Sequence, residues 1–292
     1  MKAVYSLEDL RDWRDPDLCY AVVGDPVAHS ASPAMHNAVL EQLGLPDRYC
    51  RLQILPEGLR EAIQMLPKAG FKGVNLTIPH KTQVLSLVTE IDEHSRRLGA
   101  VNTIAFRNGN IIGRNTDGPG IVRAIAEEFG VALGTQRVMV LGAGGGAGRA
   151  ISTQCYVEGC PELILVNRTG EKILELSGEL HAKAIPWTEA ALGNALNDVD
   201  LIINASSLGM KPGEKSPIPS SLLKPGHLVF DTVYAGRTTP LQSAAAMAGA
   251  RTTNGLSLLL HQGVLALEFW LGQAVPVGIM RAGLQNFINA ED

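Results

Sequence analysis

Two groups of residues in this chain combine types and spacings that could do chemistry. The first is Gly142-Ala143-Gly144-Gly145-Gly146-Ala147, which fits G-x-G-x-x-[GA], directly follows the run RVMVL and precedes a helical run that opens near Ala147. Glycines in such a strand-to-helix turn permit a sharp bend and let the backbone approach a pyrophosphate, whose charge is stabilised by unpaired N–H groups at the helix start. A glycine-rich turn alone is as often plain structure as a cofactor loop. Here a second signal stands about 20 residues on, where Asn167-Arg168-Thr169 closes the next strand. An NAD enzyme offers an acid to the adenosine ribose hydroxyls at that place, and no acid stands there. Arg168 and Lys172 are cations able to pair with a 2′-phosphate, and Thr169 adds a hydroxyl. The pattern therefore predicts NADP(H) in preference to NAD(H).

The second group lies in the first half of the chain. Gly24-Asp25-Pro26-Val27-Ala28-His29-Ser30-Ala31-Ser32-Pro33 packs turn formers after a strand and ends where a helix should start. Ser32 stands where an N-cap would stand, but Ser30 and Ser32 together also suit a small carboxylate held at a helix N-terminus. His29 and His36 read as hydrogen-bonded structure and not as ligands. In Asn75-Leu76-Thr77-Ile78-Pro79-His80-Lys81 alternation puts Asn75 and Thr77 on one side of a strand, Pro79 ends it and Lys81 follows. A lysine past a strand end is ordinarily solvated. Its company changes the reading, because Asn102 in GAVNT and Asp117 in GRNTDG also follow strand-like runs, and strand ends of an α/β sheet are where ligands bind. Serine, threonine, asparagine, aspartate and lysine with few aromatic neighbours predict a pocket for a small polyhydroxylated acid.

The elements that must position these residues alternate strand with helix throughout. Strands are expected at 20–24, 49–55 and 73–78, a hairpin turning at Asn108–Gly109, and helices over 32–43 and 119–130. A second strand–helix series starts at Arg137, and two helical runs follow Gly255. At 292 residues the chain is about right for two α/β domains. With 25 basic against 29 acidic residues it carries no footprint for nucleic acid or an anionic membrane. Apolar runs fall well short of the ~20 residues a membrane span needs, and the charged N-terminus has no export signal. Cys19, Cys50, Cys155 and Cys160 show no metal-type pairing, so no metal site is expected and the four are read as reduced, structural thiols of a cytoplasmic protein. The run LEDLRDW near the N-terminus suggests a small packed helix or a partner contact.

In order along the chain, GDPVAHSASPAMHN, NLTIPHK, GAVNT, GRNTDG, LGAGGGAGRA, NRT, NASSLGM, DTVYAGRTTPL and NGLSLLLHQG closely resemble the landmarks of the shikimate/quinate dehydrogenase family, from about Tyr20 to Ile288. The resemblance implies an N-terminal α/β substrate domain, residues 1–118, completed by C-terminal helices over 256–292, and a Rossmann-type doubly wound NADP-binding domain over 119–255, with a cleft between them. It implies reduction of 3-dehydroshikimate to shikimate by NADPH in aromatic amino-acid and chorismate biosynthesis, by a monomer or homodimer. Ser30 and Ser32 would hold the substrate carboxylate, with Thr77 and Tyr234 alongside. Asn75, Asn102, Asp117 and Gln262 would bind the ring hydroxyls. Lys81 would be the catalytic lysine with Asp117 its partner, and Gly255 would lie near the nicotinamide. Two departures stand out: Ala235-Gly236 replaces the common Asn-Pro after Tyr234, and Lys172 replaces a common arginine. A relative acting on quinate or an aminated shikimate analogue, or a non-catalytic NADP-binding module, are the competing readings.

Overall fold

The computed structural model describes residues 2–211, 213–234 and 238–291; Ala235 and Gly236 lie outside them. The chain forms two units, residues 1–116 with 260–292, and residues 117–259.

The first unit contains α1 (Leu7–Arg11), β1 (Leu18–Gly24), α2 (Ser32–Gln42), β2 (Arg48–Gln53), α3 (Leu59–Met65), β3 (Gly73–Leu76), α4 (His80–Gln83), β4 (Glu90–Ile91), α5 (Glu93–Leu98), β5 (Thr103–Arg107) and β6 (Asn110–Arg114). Its sheet runs β2-β1-β3-β5-β6-β4. Strands β1, β2 and β3 are parallel, whereas β5 runs antiparallel to both β3 and β6. The β5–β6 hairpin turns on Asn108 and Gly109, both at positive φ (51° and 80°), the combination a tight hairpin turn demands. Strand β3 ends two residues earlier than alternation suggests, since the Ile78 carbonyl accepts the Asp25 N–H at 2.9 Å and joins the loops instead of extending the ladder.

The N-terminal run is a packed helix. Ser6 and Asp9 form a capping box at the start of α1, and Tyr5 bridges to Leu52, covering part of the β2 edge that would otherwise offer unpaired backbone groups. Trp13 then packs between Tyr5 and Phe71, each ring 5.0 Å away.

The second unit comprises α6 (Asp117–Phe129), β7 (Arg137–Leu141), α7 (Gly146–Val157), β8 (Glu162–Asn167), α8 (Glu171–Glu179), β9 (Lys183–Pro186), α9 (Glu189–Ala195), β10 (Leu201–Asn204), β11 (Leu228–Asp231), α10 (Pro240–Met247) and β12 (Arg251–Thr253). The strands are all parallel, in the order β12-β11-β10-β7-β8-β9. Successive strand residues point to opposite faces, and both faces are buried. Val138, Val140, Leu163, Leu165 and Phe230 pack beneath α6, α7 and α8, while Met139, Leu141, Ile164, Val166 and Val229 pack beneath α9 and α10. Burial on both faces is why these strands are continuous apolar runs and not alternating ones.

Helix α11 (Leu256–Leu271) leaves the second unit, and its later turns with α12 (Val277–Glu291) group with the first. There α12 packs on α2, and the Trp270 indole N–H donates to the Ile104 carbonyl at 2.8 Å. His36 is fully buried, stacked on Tyr49 at 4.4 Å with neither ring nitrogen hydrogen-bonded. It is structural by stacking and not by the hydrogen bonds its sequence context suggests. Burial pulls its pKa from 6.5 down to about 3. The neutral form is therefore favoured by folding: this contribution is fully present above pH 6.5 and is lost as pH falls toward 3. His36→Phe, which keeps the stack, should flatten the fall in urea-unfolding free energy below pH 6.5 by up to about 1.4 kcal/mol per pH unit. An unchanged slope would mean His36 protonates without cost in the native state.

Candidate active site

In the first unit the candidate residues converge through strand order. The loops after β1 and β3, adjacent parallel strands whose helical connections lead to opposite sides, leave the same end of the sheet, the usual ligand position in such folds. The loops touch: a Cβ on Gly24 would lie 2.3 Å from Thr77 Cγ2. Because β5 and β6 are antiparallel, with Asn75 opposite Thr103 and Thr103 opposite Arg114, the segments Val101–Asn102 and Asn115–Thr116 emerge there too. Ser30, Ser32, Thr77, Lys81 and Asn102 thus share one sheet edge while being far apart in sequence.

A buried polar network fixes that edge. The Tyr49 hydroxyl donates to Asn75 Oδ1 at 2.8 Å, and Asn75 Nδ2 donates to the Asn102 carbonyl at 3.2 Å and to Thr103 Oγ1 at 3.0 Å. Asn102 Oδ1 accepts the Thr116 N–H at 2.7 Å and the Thr103 hydroxyl at 3.1 Å, and its Nδ2 donates to Thr116 Oγ1 at 3.0 Å. Gln262, on α11, receives a longer bond from Asn102 Nδ2 at 3.5 Å. Asn75 and Asn102 therefore hold one another's surroundings, with both Asn75 N–H groups already in use. Tyr49, Thr103 and Thr116 are partners that the sequence motifs do not single out. Burial raises the Tyr49 pKa well above its ordinary value, which keeps the phenol a donor.

Ser32 is the first residue of α2 and not its N-cap; Ala31 caps without a side-chain bond. The Ser30 hydroxyl accepts the Ser32 N–H at 3.3 Å. Arg51 grips the Ser30 carbonyl with Nε at 2.9 Å and Nη2 at 2.6 Å, and so pins the serine loop to β2. Lys81 is half-buried on α4. Its backbone carbonyl accepts the Val101 N–H at 2.8 Å, and His80 Nε2 lies 2.7 Å from the Ile54 carbonyl. The lysine thus projects from backbone tied down on two sides. Asp117, buried, opens α6 directly after Thr116.

The second unit carries the phosphate-loop candidates at its topological switch point, between β7 and β10. Gly142 adopts φ +78°, and a Cβ there would meet Ser206 N at 2.8 Å, so this position needs glycine on both counts. Asn167 steers the turn, accepting the Gly144 N–H at 3.3 Å and donating to the Thr169 carbonyl at 2.9 Å. Helix α7 begins at Gly146, behind an N-cap, Gly145, that makes no side-chain bond. The first N–H groups are thus not taken by a capping side chain, which fits a pyrophosphate. Gly145 and Gly146 meet no close neighbour and Ala147 is tolerated, whereas a Cβ on Gly148 would sit 2.1 Å from the Gly142 carbonyl oxygen. Gly148, one residue past the sequence pattern, is the glycine that lets the helix lie on the turn.

Arg168 and Thr169 are exposed beyond β8, and Lys172 starts beside the loop, its Cβ 3.0 Å from where a Gly144 Cβ would be. Tyr234 and Gly255 belong to the second unit. Gly255 follows β12 and lies against the segment just after β11, where a Cβ would meet the Thr232 carbonyl at 2.1 Å. The supporting loops rest on a buried set drawn from the NASSLGM and DTVYAGRTTPL runs. Asp231 accepts from Asn204 Nδ2 at 2.9 Å and from the Thr239 hydroxyl at 2.6 Å, and Asn204 Oδ1 accepts the Ser206 hydroxyl at 2.7 Å. Burial raises the Asp231 pKa against the pull of these donors. Among the described residues no cluster could hold a metal ion and no helix is long and apolar enough to cross a membrane.

A parallel sheet with its strands in this order and an uncapped glycine loop at its switch point defines a dinucleotide-binding α/β protein, joined here to a second α/β unit with a polar, lysine-bearing edge. Three family models match the chain: the shikimate dehydrogenase substrate binding domain over residues 22–104, shikimate / quinate 5-dehydrogenase over 124–211, and the shikimate 5′-dehydrogenase C-terminal domain over 255–285. The shikimate dehydrogenase (NADP(+)) of Desulforamulus reducens is 40% identical over 266 residues, covering 88% of this chain and 91% of the relative. That of Geobacillus kaustophilus is 40% identical over 264 residues, 90% of this chain and 95% of its own. The crystal structure of the Thermus thermophilus shikimate 5-dehydrogenase in complex with NADP(H) and shikimate is 35% identical with a TM-score of 0.84, covering 92% of this chain and 99% of that one. The chain belongs to the shikimate dehydrogenase family.

Proposed function

We propose that the protein catalyses the reversible NADPH-dependent reduction of 3-dehydroshikimate to shikimate, an oxidoreductase step on a CH–OH group in the shikimate pathway. The observation that carries this reading is the convergence of Ser30, Ser32, Thr77, Lys81 and Asn102 on one sheet edge braced by the Tyr49–Asn75–Thr103–Thr116 network. NADPH, when bound, supplies a hydride to the carbonyl carbon. The glycine loop from Gly142 to Ala147 and the uncapped start of α7 would hold its pyrophosphate, Asn167 would keep that loop in shape, and Arg168, Thr169 and Lys172 would hold the 2′-phosphate. Gly255 would let the nicotinamide lie against backbone.

Ser30 and Ser32 would hold the substrate carboxylate through their hydroxyls and the start of α2, with Thr77 and Tyr234 assisting. Asn75, Asn102, Asp117 and Gln262 would take the ring hydroxyls. The amide N–H groups of both Asn75 and Asn102 have protein partners in the closed network, so a ring hydroxyl would have to share or displace one of those bonds. Lys81 gives a proton to the reducing oxygen and takes it back in reverse, while Asp117 orients lysine and hydroxyl. In this reading residues 1–118 with 256–292 serve substrate and 119–255 serve cofactor, in a cytoplasmic monomer or homodimer.

Initial rates followed through nicotinamide absorbance, with shikimate or quinate and NADP+ or NAD+, test the reading. Turnover should be greatest with shikimate and NADP+. Preference for quinate would overturn the assignment of the ring-hydroxyl residues, preference for NAD+ would overturn the phosphate clamp, and no turnover in any pairing would leave a binding module.

A further inference from the structure

Cys155 and Cys160 sit at the exit of α7, the helix whose entry carries the glycine loop. The exit is a Schellman turn. The Cys160 N–H donates to the Cys155 carbonyl at 3.1 Å, the Gly159 N–H donates to the Tyr156 carbonyl at 3.1 Å, and Gly159 adopts φ +77°. In this motif the two residues joined by the outer bond touch through their side chains, ordinarily as an apolar pair. Here both are cysteines, so the turn sets two thiols side by side. They differ in access: Cys155 is fully buried in the core cluster with Leu133 and Ile151, whereas Cys160 is partly exposed and lies 3.2 Å from the Leu133 carbonyl.

We propose that Cys155 and Cys160 are a redox-active dithiol, a modification site at which hydrogen peroxide closes an intramolecular disulfide across the end of α7. The backbone bond between the two residues already draws the chain together within reach of such a bridge, and all four cysteines are free thiols. Cys160, the exposed partner, reacts first. Its thiolate attacks one peroxide oxygen, an S–O bond forms, the O–O bond breaks, and the departing hydroxide takes up a proton as water. Cys155 then attacks the Cys160 sulfur, an S–S bond forms, the S–O bond breaks, and the Cys155 proton leaves with the hydroxyl as a second water. Two thiols lose two electrons and one peroxide becomes two waters. Burial pushes Cys19 up to about 11 and Cys50 up to about 12, and neither has a second cysteine joined to it across a turn. Only the α7 pair therefore combines an accessible thiol with a resolving partner.

The test uses the full chain. After exposure to hydrogen peroxide, free thiols are alkylated and the protein is digested with trypsin, which releases residues 150–168 as one peptide holding both cysteines, since no Lys or Arg lies between Arg149 and Arg168. The expected product is that peptide two hydrogens lighter and unalkylated, formed at least about tenfold faster than any oxidation of Cys19 or Cys50. Cys155→Ser should instead accumulate sulfenic or sulfinic acid at Cys160, and Cys160→Ser should leave Cys155 reduced. Circular dichroism of both variants keeps a folding defect distinguishable. Oxidation of all four cysteines at one rate, an intermolecular disulfide in place of the internal one, or a fully alkylated peptide after prolonged exposure would each overturn the proposal.

Discussion

Replacing Lys81 by alanine should lower kcat by about 10²–10⁴-fold, the range of a positioned general acid–base group, with only a small change in the KM for shikimate. The split follows from how the site is built. The carboxylate is assigned to Ser30 and Ser32, whose loop is pinned by Arg51 through two hydrogen bonds to the Ser30 carbonyl. The Lys81 backbone is held by Val101 and its neighbour His80 by Ile54, so alanine removes the amine and leaves the loop in place. What disappears is an interaction made in the transition state, where the oxygen gains its proton, and such a loss falls on kcat. Lys81→Arg separates proton transfer from charge: arginine keeps the cation but does not give up its proton, so it should not restore turnover. Steady-state kinetics on both variants, with thermal unfolding to verify the fold, checks this. An alanine variant with near-normal kcat would remove Lys81 from the reaction, and rescue by arginine would make its part electrostatic.

How far the sequence discloses such a site depends on how local each determinant is. The strands of the second unit are legible because burial on both faces writes them as short apolar runs such as RVMVL and ELILV. The hairpin at Asn108–Gly109 is legible because its turn needs positive φ at two successive residues. The edge strands β4, β9 and β12, of two to four residues, leave no comparable mark. In the first unit, the placement of Asn75, Lys81 and Asn102 at or just past strand ends is readable from the sequence. Tyr49 is not: it reads as an ordinary strand residue, and its task appears only when β1 brings β2 and β3 to either side of itself and the phenol meets Asn75 across 26 positions. Gly148 is hidden for a simpler reason. The dinucleotide pattern ends at Ala147, whereas the close approach it stands for occurs one residue later, against the Gly142 carbonyl.

The cofactor preference rests on charge outside any packed core, and so it is the part of the reading most directly exposed to mutation. Arg168 to alanine should raise the KM for NADPH by about 10–100-fold, the equivalent of one lost hydrogen bond to a charged group, and change NADH use by less than about twofold, since only NADPH has a 2′-phosphate to lose. Arg168 is exposed beyond β8 and the neighbouring turn is shaped by Asn167, through Gly144 and Thr169, so the substitution should leave the pyrophosphate loop intact. Lys172, a point charge on a flexible stem at the edge of the same loop, cannot present the fork of an arginine, and its alanine variant should show the same selectivity change at smaller size. Ionic strength adds an independent readout: exposed charge pairs are screened by salt, so the wild-type KM for NADPH should rise with salt faster than that for NADH, and the difference should shrink in the Arg168 variant. Equal losses with both cofactors would mean that Arg168 supports the loop and does not read the phosphate.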